Sequence, residues 1–551
     1  MNQDLRARVV AWIAGDPDGD DRATLQDLLD RDDTAELERR FAAPLTFGTA
    51  GLRGPVMAGP AGMNRYTVRR ATQGVIAWML ERGVDTQRGV VVGRDGRHGS
   101  EAFNNEVVRV LLGAGVKVYE MPGPLPTPFV AFCVKALGAE AGIMITASHN
   151  PPQDNGFKLY SSDGSQIIPP NDEIVERFAN SATTPALAER PSAHHRWISD
   201  DVIDNYRSHF VSRFGVDDHD FAIVYTPLHG VGGATMMKLF EAAGHESVTA
   251  VTEQFEPDPA FPTLPFPNPE EPGALDLATQ TADRVGASLV LANDPDADRL
   301  GAAVRGPAGW HVLRGDEIGW LLASAMLPDM TSDSDVVATT IVSSTLLRRM
   351  AEEAGVRFAM TLTGFKWLAR AAGEGVLRLG YEEALGFAVD PLVADKDGLS
   401  AALALARLAV DLRREGKTLN DRLDEIEGLF GVHSIYQLSL RAEGSEGLLT
   451  IKDAVQALRE EPPTHLGGCT VSEVFDLAEG FEGLGPTDGL LLRLGDSGRV
   501  VIRPSGTEPK LKAYIEITAA PSGVANLVDE RRSCTTQVEA VTADLRALLR
   551  V

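Results

Sequence analysis

The chain is poor in cysteine, in positive charge and in long apolar runs, and each shortage removes a class of protein. Cys133, Cys469 and Cys534 are the only cysteines in 551 residues, odd in number and far apart. They form neither a disulfide framework nor a zinc-ligand pattern, which points to a cytoplasmic setting and leaves any metal to oxygen ligands. Lysine and arginine number 52 against 78 aspartates and glutamates, a formal charge of −26. A general nucleic-acid binder needs the opposite balance, and an anionic membrane surface is disfavoured for the same reason. No apolar run reaches the roughly 18 residues of a spanning helix. The best, Ala401 to Val410, is short and holds Arg407. The first residues carry Asp4 and an acidic stretch from Asp16 to Asp21, so no signal peptide is expected. Walker A and Gly-x-Gly-x-x-Gly motifs are missing too, which leaves nucleotide binding without direct support.

What is present suits a large α/β protein. Hydrophobic residues make up 44% of the chain, enough for proper cores, and the length suggests three to four domains. Leu25, Leu28, Leu29 and Leu37 have helical spacing and predict an amphipathic helical preface. Beyond it, short β-rich runs alternate with helical patterns. Val90 to Val92 reads as a buried strand and is followed by Gly93-Arg94-Asp95-Gly96-Arg97; Glu101 to Leu112 reads as a helix. Ala141 to Ile145, Phe221 to Tyr225, Ser288 to Ala292 and Val336 to Val342 read as further strands, and Leu399 to Arg414 as a helix. Pro257 to Pro272 is too rich in proline for regular structure and reads as an ordered surface loop. From about Val432, strands dominate until a helix near Val538 to Leu549.

Polar motifs sit where the apolar runs end, the position at which open α/β sheets bind ligands. Asp294-Pro295-Asp296-Ala297-Asp298 sets three carboxylates at alternate positions directly after a strand. Such mutually repelling groups suit one hard cation, and Mg²⁺ above others. An EF-hand is excluded, because Arg299 and Arg305 occupy its glycine and glutamate positions. Ser148, in Thr146-Ala147-Ser148-His149-Asn150-Pro151, follows another buried strand. It suits a nucleophile or a phosphate carrier, although an isolated serine more often serves only its own turn. Arg503-Pro504-Ser505-Gly506-Thr507-Glu508-Pro509 combines a guanidinium fork, hydroxyls and a close-approach glycine, which is anion-binding chemistry or an ordinary turn. After it, Leu511, Ala513 and Ile515 alternate with Lys512, Tyr514 and Glu516 as in a half-buried strand.

Together and in this order, the motifs resemble the α-D-phosphohexomutase superfamily of phosphoglucomutases, phosphomannomutases and phosphopentomutases. Its N-terminal signature is present as Phe47-Gly48-Thr49-Ala50-Gly51-Leu52-Arg53-Gly54, and the resemblance runs from about Phe41 to Ile517. It implies four domains, three related α/β units plus a distinct smaller α+β C-terminal domain. With the pass along the chain, the expected divisions are a helical preface (1–40), a phosphoserine-loop domain (41–203), a metal-loop domain (204–310), a sugar-loop domain (311–428) and a phosphate-binding domain (429–551).

The resemblance also implies roles. Ser148 is the phosphoserine and, with Asp294, Asp296 and Asp298, holds one Mg²⁺. Arg53, His149 and Lys158 lie near the transferring group, and Lys366 is the candidate general base. Arg299, Glu382 and Glu383 contact the substrate. Arg503, Ser505, Gly506, Thr507 and Lys512 hold its non-reacting phosphate. A small phosphosugar would pass phosphate between its 1- and 6- (or 5-) positions through a bisphosphorylated intermediate, with a sugar bisphosphate as activator. Phosphomannomutase or phosphoglucomutase activity is the first expectation, phosphopentomutase or sugar-bisphosphate synthase the alternative. A Mg²⁺-dependent sugar phosphatase is the competing class. The sugar loop departs from the hexomutase form Gly-Glu-x-Ser-Gly-His: in Gly380-Tyr381-Glu382-Glu383-Ala384-Leu385-Gly386-Phe387, Ala384 replaces the hydroxyl and Phe387 stands near the expected histidine, a form that looks like the phosphopentomutase and glucose-bisphosphate-synthase branch. Lys512 stands where an arginine often closes the phosphate loop, keeping the charge and losing the fork.

Overall fold

The structure, a computed structural model, describes residues 1–48, 51–441, 447–504 and 510–549. They fall into two compact units: Met1–Leu313 with Leu385–Val410, and Arg314–Ala384 with Asp411–Val551.

In the first unit, the charged opening segment forms three short helices, Gln3–Gly15, Gly19–Asp30 and Thr34–Arg40. Asn2, Asp18 and Asp33 cap them, each side chain accepting from an otherwise free backbone N–H. Part of the acidic run is thereby explained as helix starts. Leu25, Leu28, Leu29 and Leu37 are buried with Leu5, Val9, Trp12, Phe41 and Ala58 in a core of their own.

A six-stranded sheet follows, in the order Leu52–Pro55, Asp154–Ser161, Ala141–Ile145, Val90–Arg94, Val118–Pro124, His195–Trp197. The last four strands in this order are parallel, and the second, Asp154–Ser161, runs antiparallel to both its neighbours, so the first runs with the last four. Val90 to Val92 and Ala141 to Ile145 are apolar throughout because the sheet is covered on both faces. Val130 and Val134 of helix Thr127–Ala136 press on Gly93 and Gly142. Val107, Val108 and Leu111 of helix Ser100–Gly113 join the core with Val68, Val75 and Trp78 of helix Arg65–Glu81. A second sheet has the order Gly309–Val312, Leu300–Gly306, Leu289–Asn293, Ile223–Thr226, Val248–Ala250. Both sheets repeat one device: a buried parallel strand, a tight polar loop, then an antiparallel return strand. Ala141–Ile145 leads through Ser148 to Asp154–Ser161, and Leu289–Asn293 leads through the aspartates to Leu300–Gly306.

In the second unit, strand Asp335–Thr340 lies parallel between Arg357–Thr361 and Val376–Glu382. A five-stranded antiparallel sheet has the order His433–Arg441, Lys510–Thr518, Gly498–Pro504, Leu490–Arg493, Glu473–Asp476. Helices Gly447–Glu460 and Leu527–Leu549 share its core. The first of these was not anticipated, and the second begins well before Val538. Lys510–Thr518 also departs from simple alternation, since Tyr514 and Glu516 are buried as well. Tyr514 packs with Ile341 and Val342, so both faces of the strand are covered. The three parallel-stranded α/β sheets and the distinct fourth sheet agree with the expected fold class. Among the described residues no helix is long and apolar enough to cross a membrane.

Candidate active site

Ser148 sits at the carboxyl end of strand Ala141–Ile145 with φ of 53° and is almost fully buried. Its backbone N–H donates to Thr146 Oγ1 at 2.8 Å, which ties the turn to the strand end. Its Oγ donates to Asp294 Oδ2 at 2.8 Å and lies 3.2 Å from His149 Nδ1. Burial, reinforced by the cations Arg299 and Arg53, holds His149 well below the usual imidazole range, so it is neutral. Arg53, on strand Leu52–Pro55, reaches Asn150 Oδ1 with Nη1 at 3.4 Å.

Asp294, Asp296 and Asp298 are fully buried, and one oxygen from each lies within 4.8 Å of the others. Ala297 at φ of 56° turns the loop back on itself so that the carboxylates converge. Lys158, nearly fully buried on the return strand, places Nζ 2.7 Å from both Asp296 Oδ2 and Asp298 Oδ2. Thr127 Oγ1 adds a bond to Asp296 Oδ2 at 2.6 Å. Burial and the neighbouring carboxylates push Asp294 well above the usual carboxylate range. Burial raises the other two as well, but Lys158 overrides it for Asp296, and Lys158 with Lys396 and Arg299 overrides it for Asp298; both are held low. Asp296 Oδ1 and Asp298 Oδ1 are buried with no hydrogen-bond partner. Unsatisfied carboxylate oxygens beside a third carboxylate are costly on their own and fit a small oxygen-seeking cation. Arg299 donates its backbone N–H to Asp294 Oδ1 at 3.0 Å and lies 3.5 Å from Glu270.

The second unit holds the other candidates. Glu382 ends strand Val376–Glu382, and its Oε1 accepts from the Gly364 N–H at 2.8 Å. That bond joins the sugar-loop candidate to the turn that carries Lys366, which lies in a single-turn helix, Phe365–Leu368, where a loop was expected. Gly364 has φ of 115°, a conformation that favours glycine. Glu383 Oε2 accepts from Ser343 Oγ at 3.0 Å and from Thr340 Oγ1 at 3.3 Å. Burial, then Glu382 and Asp316, push the Glu383 carboxyl up to about 7 against the pull of Lys512. Arg503 and Lys512 are direct partners across strands Gly498–Pro504 and Lys510–Thr518, two cations abreast where the anion-binding motif begins. Ser505, Gly506 and Thr507 lie outside the described residues, as do Thr49 and Ala50 of the N-terminal signature.

Sequence reasoning missed Lys396, whose Nζ is 3.4 Å from Asp298 Oδ2. A signal existed: Asp395-Lys396-Asp397-Gly398 is a dense charged run just before an apolar helix. Thr127, Thr340 and Ser343 were also missed, and single hydroxyls of this kind carry no sequence signal.

Four domain descriptions of one family, phosphoglucomutase/phosphomannomutase, match the chain in order. Alpha/beta/alpha domains I, II and III match residues 44–185, 204–308 and 314–429, and the C-terminal domain matches 418–533. A Haemophilus influenzae protein described as a probable phosphomannomutase is 38% identical over 83% of this chain and 93% of its own length. A probable phosphoribomutase from Schizosaccharomyces pombe is 34% identical over 94% of each. A phosphoglucomutase/phosphomannomutase family protein from Burkholderia thailandensis shares the fold, with a TM-score of 0.68 at 21% identity over 91% of this chain and 97% of that one.

Proposed function

The chain belongs to the phosphoglucomutase/phosphomannomutase family and is a phosphomutase, an isomerase that moves phosphate within its substrate; from that premise we propose that Ser148 is its phosphate carrier and that a hexose phosphate is its substrate. The observation that carries the first part is the Ser148 Oγ hydrogen bond to Asp294, beside two aspartates clamped by Lys158.

The Oγ–P bond of phosphorylated Ser148 breaks as a P–O bond forms to a sugar hydroxyl. The proton of that hydroxyl leaves to a base, for which Lys366 is the candidate, and Oγ, released as an alkoxide, takes a proton from water. The resulting bisphosphate turns over and returns its other phosphate to Ser148 by the same step in reverse. Asp294, Asp296 and Asp298 would hold Mg²⁺ together with the serine phosphate. When bound there, the ion supplies charge neutralisation to the phosphoryl oxygens. Lys158 and Arg53 add fixed positive charge on the same side, and neutral His149 flanks Oγ without opposing them. Arg503 and Lys512 would hold the phosphate that is not reacting, and Glu382 would accept from ring hydroxyls. A sugar bisphosphate would restore phosphate to Ser148 whenever it is lost.

A pentose phosphate is the second reading. Ala384 in place of the expected hydroxyl favours it, as does the phosphoribomutase relative that matches over 94% of the chain. The deciding experiment measures kcat/KM for the 1-phosphates of glucose, mannose and ribose with a bisphosphate activator. A higher value for either hexose supports the main reading, and a higher value for ribose the second. Ser148→Ala should abolish turnover of all three, together with the phosphate found by intact mass. Full activity in that variant would exclude Ser148 as carrier.

A further inference from the structure

Arg97 ends the Gly93-Arg94-Asp95-Gly96-Arg97 motif, which none of the roles above uses. It lies in the turn between strand Val90–Arg94 and helix Ser100–Gly113, beside the strand that delivers Ser148. Its side chain is only 1% exposed. The guanidinium donates to four carbonyls of one loop. Nη2 reaches Ser148 O and Asn150 O, each at 2.5 Å, and Nη1 reaches Pro151 O at 2.8 Å and Asp154 O at 3.2 Å. Nε faces Asp95 Oδ2 at 3.4 Å. Asp95 is fixed in turn, its Oδ1 accepting from the Arg97 N–H at 3.0 Å and from Ser100 Oγ at 2.6 Å. Phe261, from the proline-rich segment, covers the guanidinium at 5.0 Å from its ring centroid.

We propose that Arg97 is the positioning residue for phosphoryl transfer, holding the Ser148 turn from behind so that Oγ stays aimed at the aspartates. This rests on the reading of Ser148 as the phosphate carrier. Ser148 is a non-glycine residue in the left-handed region, and such a conformation persists only where its surroundings over-determine it. Four carbonyls turned toward one planar fork supply that determination. With its carbonyl clamped on one side, the serine projects its side chain to the other, where Asp294 lies. The arrangement needs arginine rather than positive charge alone. Lysine offers three donors at one point, and cannot span four carbonyls spread across a turn. Arg97 touches neither Oγ nor the aspartates through any of these bonds, so it acts through the backbone of the residue that reacts.

The test uses the full chain and a readout that ignores unfolded molecules. Wild type, Arg97→Lys and Phe261→Leu are loaded with labelled phosphate from glucose 1,6-bisphosphate. Transfer of the label to glucose 1-phosphate is then followed in a single turnover, so that only loaded enzyme reports. Arg97→Lys should transfer about 100-fold more slowly, the loss expected when a reacting atom is misplaced by about 1 Å. Its steady-state KM should stay near the wild-type value, because the sugar-contacting candidates are untouched. Phe261→Leu, which removes only the ring over the guanidinium, should slow transfer about threefold. If Arg97→Lys cannot be loaded, Phe261→Leu decides alone: slowed transfer supports the proposal and unchanged transfer overturns it. Transfer by Arg97→Lys at the wild-type rate overturns it too, since charge without the fork would then suffice. A wild type that takes no label on Ser148 overturns instead the carrier reading beneath it.

Discussion

Asp296 and Asp298 share one lysine, and each keeps a buried oxygen that nothing in the protein bonds. Asp296→Asn keeps the shape and removes one charge, so it should weaken Mg²⁺ binding by at least about 10-fold and lower kcat while the fold survives. Calorimetric titration with Mg²⁺ measures this, and unchanged affinity would place the cation elsewhere. The three aspartates and Ser148 could be read from the sequence because their spacing and strand-end position are local properties. Lys158 was nominated through resemblance, but its clamp on both carboxylates joins residues more than 130 positions apart. Only folding sets that distance. Arg97 shows the same limit from the other side: its motif stood out, but its four carbonyl partners are backbone atoms, which no residue type advertises.

At the scale of the element, the end of strand Val376–Glu382 and the residue just past it deliver two adjacent carboxylates to different partners, Glu382 to a backbone N–H and Glu383 to two hydroxyls. The sequence presented them as equivalent sugar contacts, and their neighbours make them unlike. Because Glu383 is raised to about 7 in the fold, its protonated form is the one the fold favours. The stabilisation is full below the unfolded value near 4.3 and is lost as pH rises through about 7. Wild type should therefore lose more Tm between about pH 5 and 8 than Glu383→Gln does. Equal losses in thermal scans of the two proteins would show that Glu383 does not titrate there. Strand Lys510–Thr518 is the complementary case, where alternation predicted an open face. Glu516 instead accepts from His433 Nδ1, Ser344 Oγ and Arg499 Nε, each at 2.8 Å. A buried carboxylate with full partners is invisible to a pattern that counts apolar residues.

For the whole molecule, the informative fact is that neither compact unit is one stretch of chain, since Leu385–Val410 belongs with Met1–Leu313. That returning segment is bound by Gln166 to Asp395 at 2.9 Å, by Tyr206 to both Asp397 oxygens and by Lys135 to the Pro391 carbonyl at 2.6 Å. Gly398 packs so closely that a Cβ would stand 2.2 Å from the Arg299 carbonyl oxygen. Gly398→Ala should therefore destabilise the protein by about 1–3 kcal/mol, and denaturant unfolding that matches wild type would refute the tight fit. Length pointed to three or four domains and the family resemblance to four, but nothing in the sequence marked a segment that leaves a unit and comes back. The interruption also sets a timetable for synthesis. A ribosome adding about 5–20 residues each second makes Val410 some 5–20 seconds after Leu313. Through that interval the nascent first unit has its serine and aspartates but lacks Lys396, and the surface that Leu385–Val410 will pack against is still uncovered. The lysine beside Asp298 is among the last pieces of that unit to be made, so its charge arrives after Ser148, Lys158 and the three aspartates are already in the chain.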